Sequence, residues 1–355
     1  MSVRTILIMA GGTGGHIMPG LAVAEELRKS GWQVIWMGVP DSMEAELVPR
    51  QGYQMAWVNF SGLRGKGVLR AIRLPFSLLV ALWQSTVAIF RHRPDVVLGM
   101  GGYVTFPGGL ASALLRRPLV IHEQNSIAGL SNRVLARMAR KVMSGFPDVL
   151  PGAIWCGNPV RSAIASLPAP QQRYASHGGR LKVLVVGGSL GAQAINTVMP
   201  QALARLPESS RPDVIHQTGK AHFEAVQQLY RETGVQAGIH PFLDDMAKRY
   251  AEADLVICRA GALTIAELAA AGIASILIPF PFAVDDHQTS NARFLSERGA
   301  AILLPQGELN ADRLAQLFIQ LGRDKLTTMA EKAHEVAKPE AAADVARICM
   351  EMAEA

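Results

Sequence analysis

Short unbroken apolar runs recur along the chain: Ile6-Leu7-Ile8, Val34-Ile35-Trp36-Met37, Met55-Ala56-Trp57-Val58, Val96-Val97-Leu98 and Leu119-Val120-Ile121. They resume later as Val183-Leu184-Val185-Val186, Val214-Ile215, Leu255-Val256-Ile257-Cys258, Ile276-Leu277-Ile278 and Ala301-Ile302-Leu303-Leu304. Runs of this length without polar alternation suit strands buried on both faces of a parallel sheet. Between them the apolar residues fall at helical spacing, as in Leu21, Val23, Ala24 and Leu27, or Ile195, Val198, Met199 and Ala202. Strand–helix alternation twice over predicts an α/β protein with two Rossmann-like, doubly wound domains facing across a cleft. A cleft between two such sheets is the natural ligand site. The stretch from Gly157 to Arg180, marked by Pro159, Pro168, Pro170, Gly178 and Gly179, reads as a linker, and the tail after Leu314 as helical.

One helical segment departs from the ordinary pattern. From Val68 to Phe90, Phe76, Leu79, Val80, Trp83, Val87 and Phe90 form one stripe and Leu74, Leu78 and Leu82 another. Together they cover more of the helix than one buried face needs. Pro75 is expected to split the segment into two helices. Ser77, Gln84, Ser85 and Thr86 interrupt it, so it is not expected to cross a bilayer. A helix buried on both sides is one reading. The other, favoured here, is an interfacial helix that presents Leu74, Phe76, Leu79 and Trp83 to an anionic lipid surface.

Charge is what favours it. The formal net charge is +6, unevenly spread. Between Arg50 and Lys141 stand thirteen basic residues and only two acids, Asp95 and Glu123. One half of the chain is therefore strongly basic, which suits a nucleic acid, an anionic membrane or a polyanionic substrate. At 355 residues two domains are expected, and 49% hydrophobic residues with 33 glycines suit a globular α/β protein. The three cysteines, Cys156, Cys258 and Cys349, are far apart and lack metal-ligand spacing, as in a reducing cytoplasm.

Candidate chemistry lies in the turns. The first apolar run enters Gly11-Gly12-Thr13-Gly14-Gly15-His16, and a second turn, Gly187-Gly188-Ser189-Leu190-Gly191, repeats the arrangement 176 residues later. Glycine turns feeding helix N-termini let backbone approach an anion and aim N–H groups at it. Neither turn spells the dinucleotide fingerprint, and no P-loop occurs. There is no D-x-D, so no metal-bridged diphosphate site is expected. Helix N-termini and a basic side chain, Arg161 or Arg259, would have to stabilise a leaving diphosphate. His122-Glu123-Gln124-Asn125 stands at the carboxyl end of a strand, where open α/β sheets bind ligands.

The ordered series Gly11-Gly12-Thr13-Gly14-Gly15-His16, Gly101-Gly102-Tyr103, His122-Glu123-Gln124-Asn125, Gly157-Asn158-Pro159-Val160-Arg161, Gly187-Gly188-Ser189-Leu190-Gly191-Ala192 and Gly261-Ala262-Leu263-Thr264 resembles the MurG family. These bacterial N-acetylglucosaminyltransferases convert lipid I to lipid II in peptidoglycan synthesis. The resemblance spans both halves of the chain. It implies the GT-B fold and an inverting transfer from UDP-N-acetylglucosamine, with no cofactor and no metal. It also implies a C-terminal helix that returns to the N-terminal domain. The expected domains are thus 1–162 with 339–355, for acceptor and membrane, and 163–338, for the UDP-sugar. The partners implied are UDP-N-acetylglucosamine, lipid I and an anionic phospholipid surface, at the cytoplasmic face of the cell membrane, with no nucleic acid.

Carried over by position, the resemblance gives Leu243 the uracil, through its backbone, and Glu267 the ribose hydroxyls. Ser189, Ala262, Leu263 and Thr264 would hold the diphosphate, with Ile265 and Ala266 beside them and Arg161 adding charge. Gln288 would bind the sugar hydroxyls, and Thr13, Gly14, Gly15 and Asn125 would close on the sugar from the other domain. Gly101, Gly102, Tyr103 and Asn291 are candidate acceptor contacts. Ala260 and His287 depart from the family pattern, where serine and glutamine are common. A single displacement needs a base for the acceptor's 4-hydroxyl. His16 is the first candidate, because a neutral imidazole accepts a proton at pH 7; orienting the acceptor diphosphate is its competing role. Tyr103, His122 and Glu123 are weaker candidates. Two other readings are a UDP-sugar epimerase of the same architecture and a non-enzymatic peripheral membrane or nucleic-acid binding protein, although no nucleic-acid motif occurs.

Overall fold

The apolar runs become strands of two separate, wholly parallel sheets. The computed structural model describes residues 3–60, 68–188 and 190–354. The chain divides into two units, Met1–Arg161 with Pro339–Ala355 and Ser162–Lys338.

Unit 1 holds β1 (Thr5–Met9), α1 (Gly14–Lys29), β2 (Gln33–Gly38), α2 (Met43–Arg50), β3 (Gln54–Trp57), α3 (Val68–His92) and β4 (Val96–Gly99). It continues with α4 (Thr105–Leu114), β5 (Leu119–Glu123), α5 (Leu130–Leu135), β6 (Lys141–Ser144) and β7 (Ile154–Trp155). The strand order is β3-β2-β1-β4-β5-β6-β7. Alternate strand residues point to opposite faces. Ile6, Ile8, Trp36, Leu98 and Val120 therefore enter one buried cluster, and Leu7, Met9, Ile35, Val97 and Ile121 the other.

Unit 2 holds α6 (Ser162–Ala165), α7 (Pro170–Ser176), β8 (Lys182–Val186), α8 (Gln193–Ala204), β9 (Asp213–Gln217), α9 (Phe223–Glu232), β10 (Gly238–His240) and α10 (Met246–Glu252). It continues with β11 (Leu255–Cys258), α11 (Ala262–Ala271), β12 (Ser275–Leu277), α12 (His287–Ser296), β13 (Ala301–Leu303), α13 (Ala311–Gln320) and α14 (Arg323–Glu335). Its order, β10-β9-β8-β11-β12-β13, repeats that of unit 1. The last helix, α15 (Ala341–Glu354), returns to unit 1. There Val345, Ala346, Ile348 and Cys349 join the cluster that also holds Ile17, Val23 and Leu27 of α1.

This topology positions the turns. β1 pairs with β4 in register Met9↔Gly99, and β4 with β5 in register Gly99↔Ile121. The segments leaving those three strands are hence neighbours at the point where the strand order reverses, the usual ligand position of a doubly wound sheet. In unit 2, β8 and β11 pair with Val186↔Cys258 and do the same.

Several elements differ from the sequence expectation. Helix α3 runs unbroken from Val68 to His92 with Pro75 inside it. Its two apolar stripes separate: Leu74, Leu78 and Leu82 pack on the sheet core, while Phe76, Leu79, Val80, Trp83, Val87 and Phe90 face outward, Phe76 78% exposed. Leu74, expected in the membrane patch, therefore belongs to the inward stripe. By length and composition alone Leu74 to His92 would suffice to cross a membrane, but its inward stripe is packed on the sheet core. Helix α4 begins at Thr105, two residues after the Gly101-Gly102-Tyr103 turn. The supposed linker contains α6 and α7, and Arg173 and Tyr174 are buried in unit 2. Arg173 reaches the carbonyls of Pro168, Tyr250, Ala271 and Gly272, so its charge ends α11 and fixes the segment.

Candidate functional site

In unit 1 three turns interlock. Gly102 has φ +88, and a Cβ there would lie 2.2 Å from the Gly11 carbonyl oxygen, so only glycine allows the second turn to rest on the first. The Tyr103 hydroxyl lies over Gly12 in the same way, 2.6 Å from the place a Cβ would take. Beneath the first turn sits Glu44, which is wholly buried. Its Oε2 accepts from the Gly12 N–H (3.0 Å) and its Oε1 from the Val39 N–H (3.3 Å). At sequence level Glu44 reads only as an acid in the first turn of a helix. Its part in bracing the glycine turn depends on the fold.

Helix α1 begins there, with the Thr13 carbonyl accepting from the His16 and Ile17 N–H groups. Thr13 takes the N-cap position without a side-chain hydrogen bond, and no acid stands in the first turn. Helix α8, after Ala192, and helix α11, after Gly261, start likewise. By contrast, Ser42 caps α2 and Asn310 caps α13 through their side chains. The glycine-led helices thus carry no side-chain cap or first-turn acid of their own against the positive end of the dipole.

From His16 a line of hydrogen bonds runs inward. His16 Nδ1 meets Gln124 Oε1 at 2.9 Å, Gln124 Nε2 meets His122 Nδ1 at 3.0 Å, and His122 Nε2 meets the Gly157 carbonyl at 2.9 Å. His122 is wholly buried, and burial holds its pKa down at about 4 against the raising effects of the Gly157 carbonyl and the Glu123 charge. Glu123 is buried too. It accepts from the Asn125 N–H (2.9 Å), the Gly129 N–H (3.1 Å) and Asn132 Nδ2 (2.8 Å), which shapes the turn that holds Asn125. Two of the weaker base candidates, His122 and Glu123, are thereby internal. His16 is only partly buried. Arg161, also partly buried, ends the first stretch of unit 1.

Unit 2 gathers the other group. Ala262, Leu263, Thr264, Ile265 and Ala266 form the opening of α11, and Glu267 is buried in its next turn. Tyr250 OH donates to Glu267 Oε2 at 3.1 Å. Cys258, pushed up to about 12 by burial and then by the Glu267 charge, stays an unreactive thiol. Gln217, which sequence reasoning left without a role, ties the second glycine turn to the expected contact Leu243. Its Nε2 donates to the Gly188 carbonyl (3.1 Å), and its Oε1 accepts from the Leu243 N–H (3.2 Å). Leu243 therefore has its carbonyl, not its N–H, to offer a base. Ser189 lies outside the described residues.

Gln288 Oε1 accepts from the Phe280 N–H at 2.9 Å, beside Asp285 and Asp286, both in the left-handed region. Asn291 is wholly buried and donates to the Ala260 carbonyl at 3.2 Å, so it supports the turn before α11 from inside unit 2. Arg259 is tied inward as well, to the Ile278 and Pro279 carbonyls and Gln306 Oε1. Among the described residues no group of three or more His, Cys, Asp or Glu is placed to hold a metal ion.

Two family models match, the glycosyltransferase family 28 N-terminal domain over residues 6–144 and the C-terminal domain over 182–347. A relative from Aromatoleum aromaticum is 60% identical over 351 residues, 99% of this chain and 98% of its own. One from Azoarcus sp. is also 60% identical, over 99% of each chain. Both are named UDP-N-acetylglucosamine–N-acetylmuramyl-(pentapeptide) pyrophosphoryl-undecaprenol N-acetylglucosamine transferase. The crystal structure of Acinetobacter baumannii MurG is 42% identical and superposes with a TM-score of 0.86, covering 98% of this chain and 99% of that one. The two parallel-sheet units are those of the GT-B class expected from the sequence. With both domain models matched in order and full-length relatives at this identity, the chain belongs to glycosyltransferase family 28.

Proposed function

We propose that this protein transfers N-acetylglucosamine from UDP-N-acetylglucosamine to the 4-hydroxyl of lipid I, the undecaprenyl-diphospho-N-acetylmuramyl pentapeptide, giving lipid II. The observation that carries this is the 60% identity over the full chain to transferases so named. It displaces the epimerase and the non-enzymatic readings.

Unit 2 takes the donor. The Leu243 carbonyl accepts from the uracil, and Glu267, steadied by Tyr250, accepts from the ribose hydroxyls. The N-terminus of α11, from Ala262 to Ala266, faces the diphosphate with N–H groups and positive dipole, joined by Ser189 and the Arg161 charge. Gln288 serves the sugar. Unit 1 takes the acceptor. Its interlocked turns, with Gly101, Gly102 and Tyr103, and the start of α1 receive the acceptor diphosphate, while Thr13, Gly14, Gly15 and Asn125 meet the donor sugar. Asn291 supports the donor side from within and is not given an acceptor contact.

The reaction is a single displacement. The acceptor oxygen forms a bond to the sugar's anomeric carbon as the bond from that carbon to the UDP phosphate oxygen breaks. The electron pair leaves with UDP, where helix N-termini and Arg161 stabilise it. The hydroxyl proton passes to His16. Inversion at the anomeric carbon follows from the single step.

The test is a radiolabel assay with UDP-N-acetylglucosamine and a lipid I analogue, in the presence of chelator. Intact nucleotide binding without sugar transfer overturns the reading. Changing His16→Ala is expected to lower kcat by roughly 10²–10⁴, the contribution typical of a general base, and to leave UDP affinity nearly unchanged. Near-normal turnover removes His16 from that role. The outward stripe of α3 and the exposed basic residues of unit 1 support a further part of this reading, that the protein works on the anionic, cytoplasmic surface of the membrane that holds its acceptor.

A further inference from the structure

The hydrogen bonds behind His16 have a direction, and it is set at their far end. The Gly157 carbonyl can only accept, so His122 must donate to it from Nε2. Burial keeps His122 neutral, with its one ring proton on Nε2 and Nδ1 an acceptor. Gln124 must then turn its NH₂ toward His122. A second contact requires the same orientation. Gln124 Nε2 also lies 3.1 Å from the His122 backbone carbonyl, and the opposite orientation would set oxygen against oxygen there. The Gln124 main chain is held as well, its carbonyl accepting from Asn158 Nδ2 at 2.9 Å. Gln124 is 1% exposed, so water does not compete for these bonds.

That leaves Gln124 Oε1 facing His16 Nδ1 at 2.9 Å as an acceptor and nothing else. Nδ1 of His16 has to carry a proton. The ring cannot slide away, because it rests on Gly101, where a Cβ would come within 2.7 Å of Nδ1. Nε2 of His16 has no hydrogen-bond partner among the described residues. We propose that Gln124, oriented by His122, is a positioning residue that locks His16 as its Nδ1–H tautomer and so presents Nε2 unprotonated to the acceptor hydroxyl. The inference rests on His16 being the base. It adds that the base is made ready by a buried amide, not by a carboxylate. When the hydroxyl proton arrives at Nε2, Nδ1–H stays on Gln124 Oε1 and the ring becomes an imidazolium held in place. The wrong tautomer would instead present an N–H to the hydroxyl and could take no proton from it.

Two-bond proton–nitrogen correlation spectra of the full-length protein, labelled with nitrogen-15 histidine, report which ring nitrogen is protonated. The His16 signal is assigned by its loss in His16→Ala. The wild-type protein is expected to show His16 with a protonated Nδ1 and a bare Nε2, and this arm needs no variant to fold. Gln124→Met keeps the length of the side chain and removes the acceptor. It is expected to let the Nε2–H tautomer appear and to lower kcat by on the order of tenfold to a hundredfold, less than loss of the base itself. The affinity for UDP alone should change by less than about twofold, since the residues proposed to hold the nucleoside and α11 stand in unit 2. A purely structural Gln124 would leave the tautomer unmoved. A wild-type His16 protonated on Nε2, or a tautomer unaffected by Gln124→Met, overturns the lock. A locked tautomer together with near-normal turnover of His16→Ala supports the lock and defeats the base reading, so the two failures are told apart.

Discussion

Two buried histidines, one in each unit, are held neutral by partners that leave no choice of tautomer. His122 sits between the Gly157 carbonyl and the Gln124 amide. In unit 2 the Thr218 carbonyl accepts from Asn196 Nδ2, whose Oδ1 therefore accepts from His216 Nε2, and Tyr230 OH donates to His216 Nδ1. Burial lowers both from 6.5 to about 4. A histidine depressed in this way binds fewer protons folded than unfolded between pH 4 and 6.5. Stability then rises with pH across that window, is fully present above it, and is lost as pH falls. Each histidine contributes a slope of about 1.4 kcal/mol per pH unit there. Urea unfolding midpoints should fall from pH 7 to pH 5, and His216→Gln should flatten the slope by about one proton whatever its effect at pH 7. An unchanged slope would refute the assignment. At this scale the sequence revealed the site unevenly. His16, Asn125 and Glu267 stand out as candidates because they lie in motifs at strand ends and helix starts. The roles of Gln124, Glu44 and Gln217 are not, because their partners lie on other elements, 108 residues away for the His16–Gln124 contact.

The element junction that most depends on one side chain is in unit 2. Asp254, wholly buried just before β11, accepts from His177 Nδ1 at 2.7 Å, from the Lys182 N–H at 2.8 Å and from Arg323 at 3.2 Å. One carboxylate thereby joins the end of α7, the start of β8 and the start of α14 to the strand that feeds α11. Removing one partner of a buried charged group costs on the order of 3–5 kcal/mol. Asp254→Ala is expected to unfold unit 2 at markedly lower urea and to release UDP with it. Unchanged urea stability would show the junction to be dispensable. This junction also shows why some elements were missed. Proline and glycine in the stretch before β8 read as a linker, but Arg173 and Tyr174 bury themselves in unit 2 and draw helix out of it. Pro75 reads as a break, yet α3 continues through it: the backbone bond its ring removes is offset by the packing of the inward Leu74, Leu78 and Leu82 on the sheet core. Strand β6 has four residues and the edge strand β7 only two, too little pattern to register. The longer strands were legible because both of their faces are covered.

Across the whole molecule, the clearest asymmetry is in unit 1. Helix α3 turns Phe76, Leu79, Trp83, Val87 and Phe90 outward, and Leu114 at the end of α4 and Leu130 on α5 are also exposed. Arg91, Arg93, Arg116, Arg133, Arg137, Arg140 and Lys141 are exposed on the same unit, and between Asp95 and Asp148 the one acid, Glu123, is buried. Apolar residues without charged neighbours of opposite sign make a poor surface for water and a good one for an anionic interface. Each basic residue near such a surface adds about 1 kcal/mol, and salt screens that contribution. The protein should therefore sediment with vesicles containing anionic phosphatidylglycerol, less with zwitterionic ones, and progressively less as salt rises. Trp83, 68% exposed, contributes through its ring. Inserting such a side chain is worth roughly 1.5–3 kcal/mol, so Trp83→Glu should weaken vesicle binding by about tenfold or more. The same variant should keep its affinity for UDP, because Leu243, Glu267 and the start of α11, the residues proposed to hold the nucleoside and its diphosphate, stand in unit 2. Vesicle binding indifferent both to anionic lipid and to Trp83→Glu would defeat the membrane reading and leave the outward stripe of α3 to another occupant.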